Sequence, residues 1–220
     1  MSTRHRFRLI AFDLDGTLID SRRDIANAAN ALLVECGALP LPEEQIGCMV
    51  GDGAATLVAR AFDVAGVARP PDALARFLAI YDGRLTDYTR PYEGMADVLS
   101  ALGRRATLAV LTNKPLAATR TILERLDLER HFDEALVIGG DGPLPRKPDP
   151  SGLQQLMRFA SAAPDATLLI GDSYIDWRTA RAADATICLA RYGFGFEGFP
   201  VEHVESRDLL VDSPAALLRL

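Results

Sequence analysis

The chain is short of the residues that staple folds or build nitrogen- and sulfur-rich metal centres. Among its 220 residues are three cysteines, Cys36, Cys48 and Cys188, and three histidines, His5, His131 and His203. The cysteine number is odd, and neither a C-x-x-C pair nor zinc-ligand spacing occurs. A disulfide framework and a structural zinc site are therefore not expected, and a reducing cytoplasm is. The histidines stand apart from one another and read as surface or packing residues. No run of roughly 18 apolar residues, the minimum for a spanning helix, is present. The apolar run Leu9 to Phe12 behind the basic start meets Asp13 too early for a signal-peptide core, so neither a membrane anchor nor a leader is expected. An excess of basic charge is missing too: 24 Lys and Arg stand against 30 Asp and Glu, a net charge of −6. That balance disfavours nucleic acid and anionic membranes as partners, yet a small anionic substrate needs only a local reversal of sign. A G-x-x-x-x-G-K-[ST] string is also lacking, which removes a P-loop nucleotidase.

What remains, 49% hydrophobic and 25% charged residues, is an ordinary globular composition at a length that accommodates a core with a smaller insertion. Apolar runs at Arg8 to Phe12, Ala106 to Leu111, Ala135 to Ile138, Thr167 to Ile170 and Ala185 to Leu189 read as strands buried on both faces. Helical periodicity lies between the later ones: Met95, Val98, Leu99 and Leu102; Ile122, Leu123 and Leu126; Leu153, Leu156, Met157 and Ala160, the last behind a capping box of Ser151 and Gln154. This alternation is the pattern of a three-layer, Rossmann-like parallel α/β sheet. From Ser21 to about Tyr88 the pattern changes to three amphipathic helices, on Ile25 to Cys36, Leu57 to Ala65 and Leu74 to Leu85, the first capped by Ser21 with Asp24. The chain therefore divides into an α/β core of residues 1–20 and 89–220 and an all-helical insertion over 21–88. Ser213 and Pro214 mark a last helical start.

Chemistry concentrates in four places. In Asp13-Leu14-Asp15-Gly16-Thr17-Leu18, the two aspartates at i and i+2 end a buried strand and project to one side. Carboxylates so close persist when a cation neutralises them or one holds a proton. Gly16 allows backbone N–H groups to approach an anion. Thr112-Asn113-Lys114 follows the second core strand and offers a hydroxyl and N–H groups at a helix start, a phosphate cradle. Lys147 sits in a stiff Arg146-Lys147-Pro148-Asp149-Pro150 stretch, with Arg146 as a competitor for its role. Asp172 and Asp176, in Gly171-Asp172-Ser173-Tyr174-Ile175-Asp176, are spaced to meet one ion. In a parallel sheet all four gather at the carboxyl edge. Oxygen ligands without histidine or cysteine make a hard-cation site, and Mg²⁺ is its natural occupant. Gly193-Phe194-Gly195-Phe196-Glu197-Gly198 spells G-x-G-x-x-G, but Pro200 follows and no helix opens, so a turn-rich loop is expected in place of a dinucleotide site.

These four motifs, in this order, resemble those of the haloacid dehalogenase superfamily, and the insertion behind the first motif is similar to the family's helical cap. Val50-Gly51-Asp52-Gly53-Ala54, Arg90-Pro91-Tyr92-Glu93-Gly94 and Gly139-Gly140-Asp141 resemble the wording of its phosphoglycolate phosphatases. The resemblance implies a phosphatase acting on a small phosphorylated metabolite. Asp13 is then the nucleophile and Asp15 the acid and base; Thr112, Lys147 and N–H groups around Gly16 and Asn113 hold the phosphoryl oxygens. Asp13, Asp15 through its carbonyl, Asp172 and Asp176 attend Mg²⁺. An acid at Asp15 argues against the dehalogenase branch, since a halide needs no proton. A sugar-phosphate mutase would use the same motifs, and a phospho-acceptor module similar residue types. Arg23, Arg60 and Arg84 are candidates to meet a substrate carboxylate, Asp52 would oppose one, and a monomer or homodimer is compatible with all of this.

Overall fold

The structure is a computed structural model and describes residues 6–220. Strand β1 (Leu9–Phe12) and the two-residue β2 (Ile19–Asp20) precede four helices, α1 (Arg22–Glu35), α2 (Glu43–Gly47), α3 (Ala54–Ala65) and α4 (Ala73–Asp82). The chain returns through β3 (Arg90–Pro91) and α5 (Met95–Leu102). Then follow β4 (Thr107–Leu111), α6 (Leu116–Arg125), β5 (Val137–Ile138), α7 (Ser151–Ala160), β6 (Thr167–Gly171), α8 (Tyr174–Ala182), β7 (Thr186–Ala190) and β8 (Leu209–Val211). Six of the strands form one parallel sheet in the order β5-β4-β1-β6-β7-β8.

Strand alternation builds the layers. Ile10 and Phe12 of β1 join one apolar cluster with Met95, Val98, Leu99 and Leu102 of α5 and Ile122 of α6. Leu9 and Ala11 face the opposite way, into a second cluster with Leu153, Leu156 and Met157 of α7. A strand covered on both faces has no polar side to show, which is why β1 reads as a continuous apolar run. Its central place puts Phe12, and the residue after it, between the ends of β4 and β6.

Between β2 and β3 the expected helices are present, with an additional short one, α2, whose five residues are too few to leave a periodic signal. Ile25, Leu32 and Leu33 of α1, Leu57, Val58 and Phe62 of α3, and Phe77 and Tyr81 of α4 are buried together, while Leu74 is 37% exposed and stands outside the packed face. The two crossings of the chain are tied to each other: β2 and β3 pair antiparallel through Ile19 with Pro91 and Asp20 with Arg90. The fully buried Asp24 carboxylate accepts from the Tyr88 N–H, the Thr89 N–H at 2.8 Å and the Thr89 hydroxyl at 2.7 Å. Asp24 is thus a cross-chain tie and not a helix cap, and the Ser21 side chain caps nothing either.

Three further local readings are corrected. The Ser151 and Gln154 capping box does not form; Pro150 occupies the N-cap, and the Ser151 N–H donates to Asp149 Oδ1. Half of the expected strand at Ala135 to Ile138 is a 3₁₀ turn, Glu134–Leu136, begun when Asp133 accepts from the Ala135 N–H. Strand β8 was not anticipated, since its three residues lie at the sheet edge with only Val211 buried. A 3₁₀ helix starts at Pro214 behind Ser213, where a helical start was expected.

Candidate active site

The parallel order brings the ends of β4, β1 and β6 side by side, and with them Thr112, Asp13 and Asp172. Asp13, Asp172 and Asp176 are all buried, and each offers a carboxylate oxygen within 4.8 Å of the others'. Lys147 reaches into the cluster, its ammonium 2.8 Å from Asp13 Oδ1 and 2.6 Å from Asp176 Oδ1. The ammonium donates to Asp176 Oδ1 and is paired with Asp13 Oδ1 as an ion pair. The competing Arg146 is exposed, and its Nε donates to the Gly140 carbonyl. Three carboxylates against one ammonium leave the cluster under-neutralised, and every donor in it is an oxygen. That composition, with one ammonium shared between Asp13 and Asp176, fits a hard divalent cation.

The two aspartates of the last motif play different parts. Asp172 Oδ2 accepts from the Gly195 N–H at 2.7 Å. Asp176 spends both oxygens on the protein: one on Lys147, the other on the Ser173 N–H and hydroxyl in a capping box that starts α8. The S-x-x-D spacing of Ser173 and Asp176 carried that signal in the sequence.

Burial is the main force on these groups. It pushes the Asp13 carboxyl up to about 7, with Asp176 and Asp15 adding repulsion and Lys147 opposing. Asp172 is raised well above the ordinary carboxyl range, again by burial first and by Asp13 and Asp176 second. Burial works against the Lys147 charge, but Asp13 and Asp176 outweigh it and hold the ammonium above its ordinary pKa.

Asp15 faces another partner. Its oxygens lie 3.0 Å from Lys114 Nζ, and the Ser21 hydroxyl donates to Oδ1. Lys114 is 7% exposed and stands 4.5 Å from the centroid of the Tyr81 ring, which α4 supplies. Burial opposes its charge and Asp15 more than restores it. Lys114, next to Thr112 and Asn113, was given no role by the sequence, because nothing local pairs it with Asp15, 99 residues away. Tyr81 is apolar-face material by periodicity, and nothing in the sequence sets it apart.

The remaining expected residues fall close to the cluster with altered duties. Thr112 does not cap α6, which begins behind Pro115; its hydroxyl accepts from the Lys114 N–H at 3.2 Å. The Asn113 side chain is a strut, donating to the Gly51 and Lys147 carbonyls at 2.9 Å each. Gly16 does not offer its N–H to an anion, because that group donates to the Ile19 carbonyl. Glycine is needed there for φ +83° and because a Cβ would stand 1.9 Å from Asp172 Oδ2. The Asp15 and Asn113 N–H groups have no acceptor among the described residues, so they, and not Gly16, remain for an anion. The glycine-rich stretch forms a 3₁₀ turn, Phe194–Gly198, and its glycines let the loop lie against Asp172.

A cavity of about 640 Å³, including its open mouth, separates this edge from the helices. Asp13, Asp15, Thr112, Lys114 and Asp172 form its floor; Ile25, Leu57, Phe77, Leu78 and Tyr81 form its roof. Among the described residues Lys114 is its one lining cation. The three arginine candidates do not line it: Arg23 lies over the Tyr88 ring at 3.7 Å, Arg60 pairs with Asp52 at 2.7 Å, and Arg84 is elsewhere. The pairing with Arg60 also offsets the Asp52 charge. His131 and His203 do not line the cavity, and His5 lies outside the described residues.

Residues 10–190 match the family described as haloacid dehalogenase-like hydrolase. The chain is 39% identical over 199 residues to the phosphoglycolate phosphatase of Rhodospirillum rubrum, covering 86% of this chain and 82% of that protein. It is 37% identical over 218 residues to that of Pseudomonas putida, covering 96% and 78%. Among solved structures, a phosphoglycolate phosphatase, so described from prediction, of Haemophilus somnus superposes with TM-score 0.90 at 28% identity, with 98% of each chain covered.

Proposed function

The chain belongs to the haloacid dehalogenase-like hydrolase family, and from that premise we propose that it is a Mg²⁺-dependent phosphatase of a small phosphate monoester, phosphoglycolate or a close analogue. In this reading residues 21–88 are a cap domain over a core of residues 1–20 and 89–220, and the enzyme works on a cytoplasmic metabolite. The observation that carries the proposal is Asp13: a buried carboxylate at the centre of the sheet edge, lining the cavity, whose Oδ1 shares the Lys147 ammonium with Asp176.

Asp13 attacks the phosphorus, and the bond to the leaving alcohol breaks as the bond to the carboxylate forms. Asp15, held by Ser21 and Lys114 two residues along the same loop, takes up a proton before turnover and delivers it to the departing alkoxide. It then accepts a proton from the water that releases phosphate from Asp13. Lys147, fixed by Asp176, stays beside the nucleophile and offsets charge on the phosphoryl oxygens, joined by the Thr112 hydroxyl and the Asn113 N–H. Asp13, Asp172 and the Asp15 carbonyl would hold the cation, with Asp176 acting on it through its neighbours; bound there, it supplies electrostatic stabilisation of the transferring group.

The test is a phosphate-release screen over phosphoglycolate, sugar phosphates, nucleoside monophosphates and pyrophosphate, with Mg²⁺ and with chelator. Release from phosphoglycolate with Mg²⁺ alone supports the reading. A product that is an isomerised sugar phosphate, without free phosphate, replaces it with a phosphotransferase.

A further inference from the structure

The loop between α2 and α3 lies on the groups that hold Lys147. Its Gly51 carbonyl accepts from Asn113 Nδ2 at 2.9 Å, across 62 residues of chain. The same nitrogen donates to the Lys147 carbonyl, also at 2.9 Å and 34 residues along in the other direction. With both protons committed to carbonyls, the nitrogen and the oxygen of this amide cannot be exchanged. Asn113 is 5% exposed, and its Oδ1 is buried without a donor. A buried acceptor left unpaired is uncommon, and here it follows from spending the whole NH2 group on tying two remote segments together.

The loop also covers the other support of Lys147. A Cβ on Gly51 would stand 3.6 Å from Ile175 Cδ1 and 3.9 Å from Ser173 Oγ, which places the loop on the first turn of α8. The Ser173 hydroxyl donates to Asp176 there, and Asp176 holds the Lys147 ammonium at 2.6 Å. The backbone of Lys147, through Asn113, and its ammonium, through Asp176 and Ser173, are thus both braced beneath one loop of the helical segment.

Resting on the phosphatase reading above, we propose that the Asn113 side chain is a positioning residue that makes docking of this loop and seating of Lys147 one event. With the loop docked, the amide holds the Lys147 carbonyl and the ammonium stands beside Asp13. With the loop lifted, the amide loses one of its two acceptors, the first turn of α8 loses its cover, and Lys147 loses its fixed place. The charge that steadies the phosphoryl oxygens is therefore complete only when the helices lie over the cavity. The coupling is reciprocal, so a seated Lys147 also favours the docked loop.

The experiment combines kinetics on phosphoglycolate, with Mg²⁺, and hydrogen exchange of the full chain. Asn113→Ala removes the amide and keeps the backbone N–H; Asn113→Asp keeps the shape but cannot donate to two carbonyls. Each should lower kcat by about a hundredfold, the effect of a misplacement of roughly 1 Å. In a Lys147→Ala background the same changes should cost less than about threefold, because a residue that acts through Lys147 then has nothing to position. Gly51→Ala disturbs the loop from its other side, since φ +117° strains any residue but glycine. It should lower kcat by about tenfold and speed exchange in the core stretch 145–150 as well as in its own loop. Should Asn113→Asp fail to fold, Asn113→Ala and Gly51→Ala decide. Additive losses in the Lys147→Ala background, or a Gly51→Ala enzyme in which KM alone rises and exchange over 145–150 stays parental, overturn the proposal and leave the phosphatase standing. A parent enzyme that releases no phosphate overturns the phosphatase reading, and exchange over 145–150 in Gly51→Ala then decides the coupling by itself.

Discussion

Gly193→Ala is a one-methyl change in a loop that contributes no side chain to the chemistry, yet the packing against Asp172 makes it costly. Gly193 has an ordinary φ of −77°, so alanine brings no backbone strain. Its Cβ would, however, stand 2.1 Å from the Gly16 carbonyl oxygen and 2.4 Å from Asp172 Cβ. One obstacle is backbone and the other is the root of a buried carboxylate, so no rotamer change relieves either. Restoring carbon contacts to about 3.5 Å requires the loop to withdraw by roughly 1 Å. That displacement breaks the 2.7 Å bond from the Gly195 N–H to Asp172 Oδ2. Overpacking of this kind costs about 1–3 kcal/mol, and a hydrogen bond to a charged group is worth about 1.5–3 kcal/mol. For catalysis, a misplacement of about 1 Å corresponds to roughly a hundredfold. The assay is kcat and the Mg²⁺ concentration for half-activation, with thermal unfolding alongside. Both kinetic parameters should worsen, kcat by about two orders of magnitude. Gly198→Ala, in the same loop with nothing within 4 Å of the added carbon, is the control and should stay within about 0.5 kcal/mol of the parent. A Gly193→Ala enzyme with parental kcat and Mg²⁺ response would show that the loop does not hold Asp172, and the reasoning fails.

Other outcomes follow from the same geometry. Asp13→Asn should abolish turnover by more than about a thousandfold while far-ultraviolet circular dichroism stays native, because it removes the attacking oxygen and a cation ligand together; measurable turnover above that level contradicts its role. Lys147→Ala should slow kcat by about 2–4 kcal/mol of lost transition-state stabilisation, whereas Arg146→Ala, exposed and bound to a carbonyl, should change it less than threefold, on the order of the effect of ordinary surface substitutions; comparable losses in the two would reassign the cation. In chelator, thermal stability should fall as pH rises from about 4 to about 7. Asp13, raised from 3.8 to about 7, binds a proton in the folded state that the unfolded chain has already released, so folding loses free energy across that window. Mg²⁺ should flatten the slope, and a flat profile in chelator would count against the under-neutralised cluster. Asp24→Ala should destabilise by about 3–5 kcal/mol, since it strips a buried carboxylate from the Tyr88 and Thr89 donors where the two chain crossings meet; a loss under about 1 kcal/mol in urea unfolding would mean the tie is not needed.

The parts of the molecule that could be read along the chain are those whose signal is local. A strand buried on both faces must be apolar throughout, so β1, β4, β6 and β7 are visible as runs. The helices of residues 21–88 show because one stripe of each is buried. Asp13 with Asp15 and Asp172 with Asp176 could be singled out because paired carboxylates beside an apolar run are expensive without a purpose, and a parallel sheet sends strand ends to one edge. Short elements escaped: α2 and β8 hold too few residues for a period to emerge, and the 3₁₀ turn at Glu134–Leu136 was settled by a side-chain bond from Asp133.

Partner choice could not be read in this way, because it depends on distances between residues remote in the chain. Asp24 and Ser21 are good capping types by position, but Thr89 lies 65 residues from Asp24 and offers it better donors, while Asp15 takes the Ser21 hydroxyl. Asp176 was expected to attend the cation with Asp172, and folding also makes it the anchor of Lys147, 29 residues upstream. Lys114 had no role in the sequence reading; α4 covers it with Tyr81 and the first loop brings Asp15 to it, 99 residues away. Local sequence therefore specified which chemical groups stand at the carboxyl edge, since strand burial and strand order follow from hydrophobic pattern. Which oxygen meets which ammonium was decided by folding, because hydrogen bonds and ion pairs act over about 3 Å and only the packed chain brings distant residues that close.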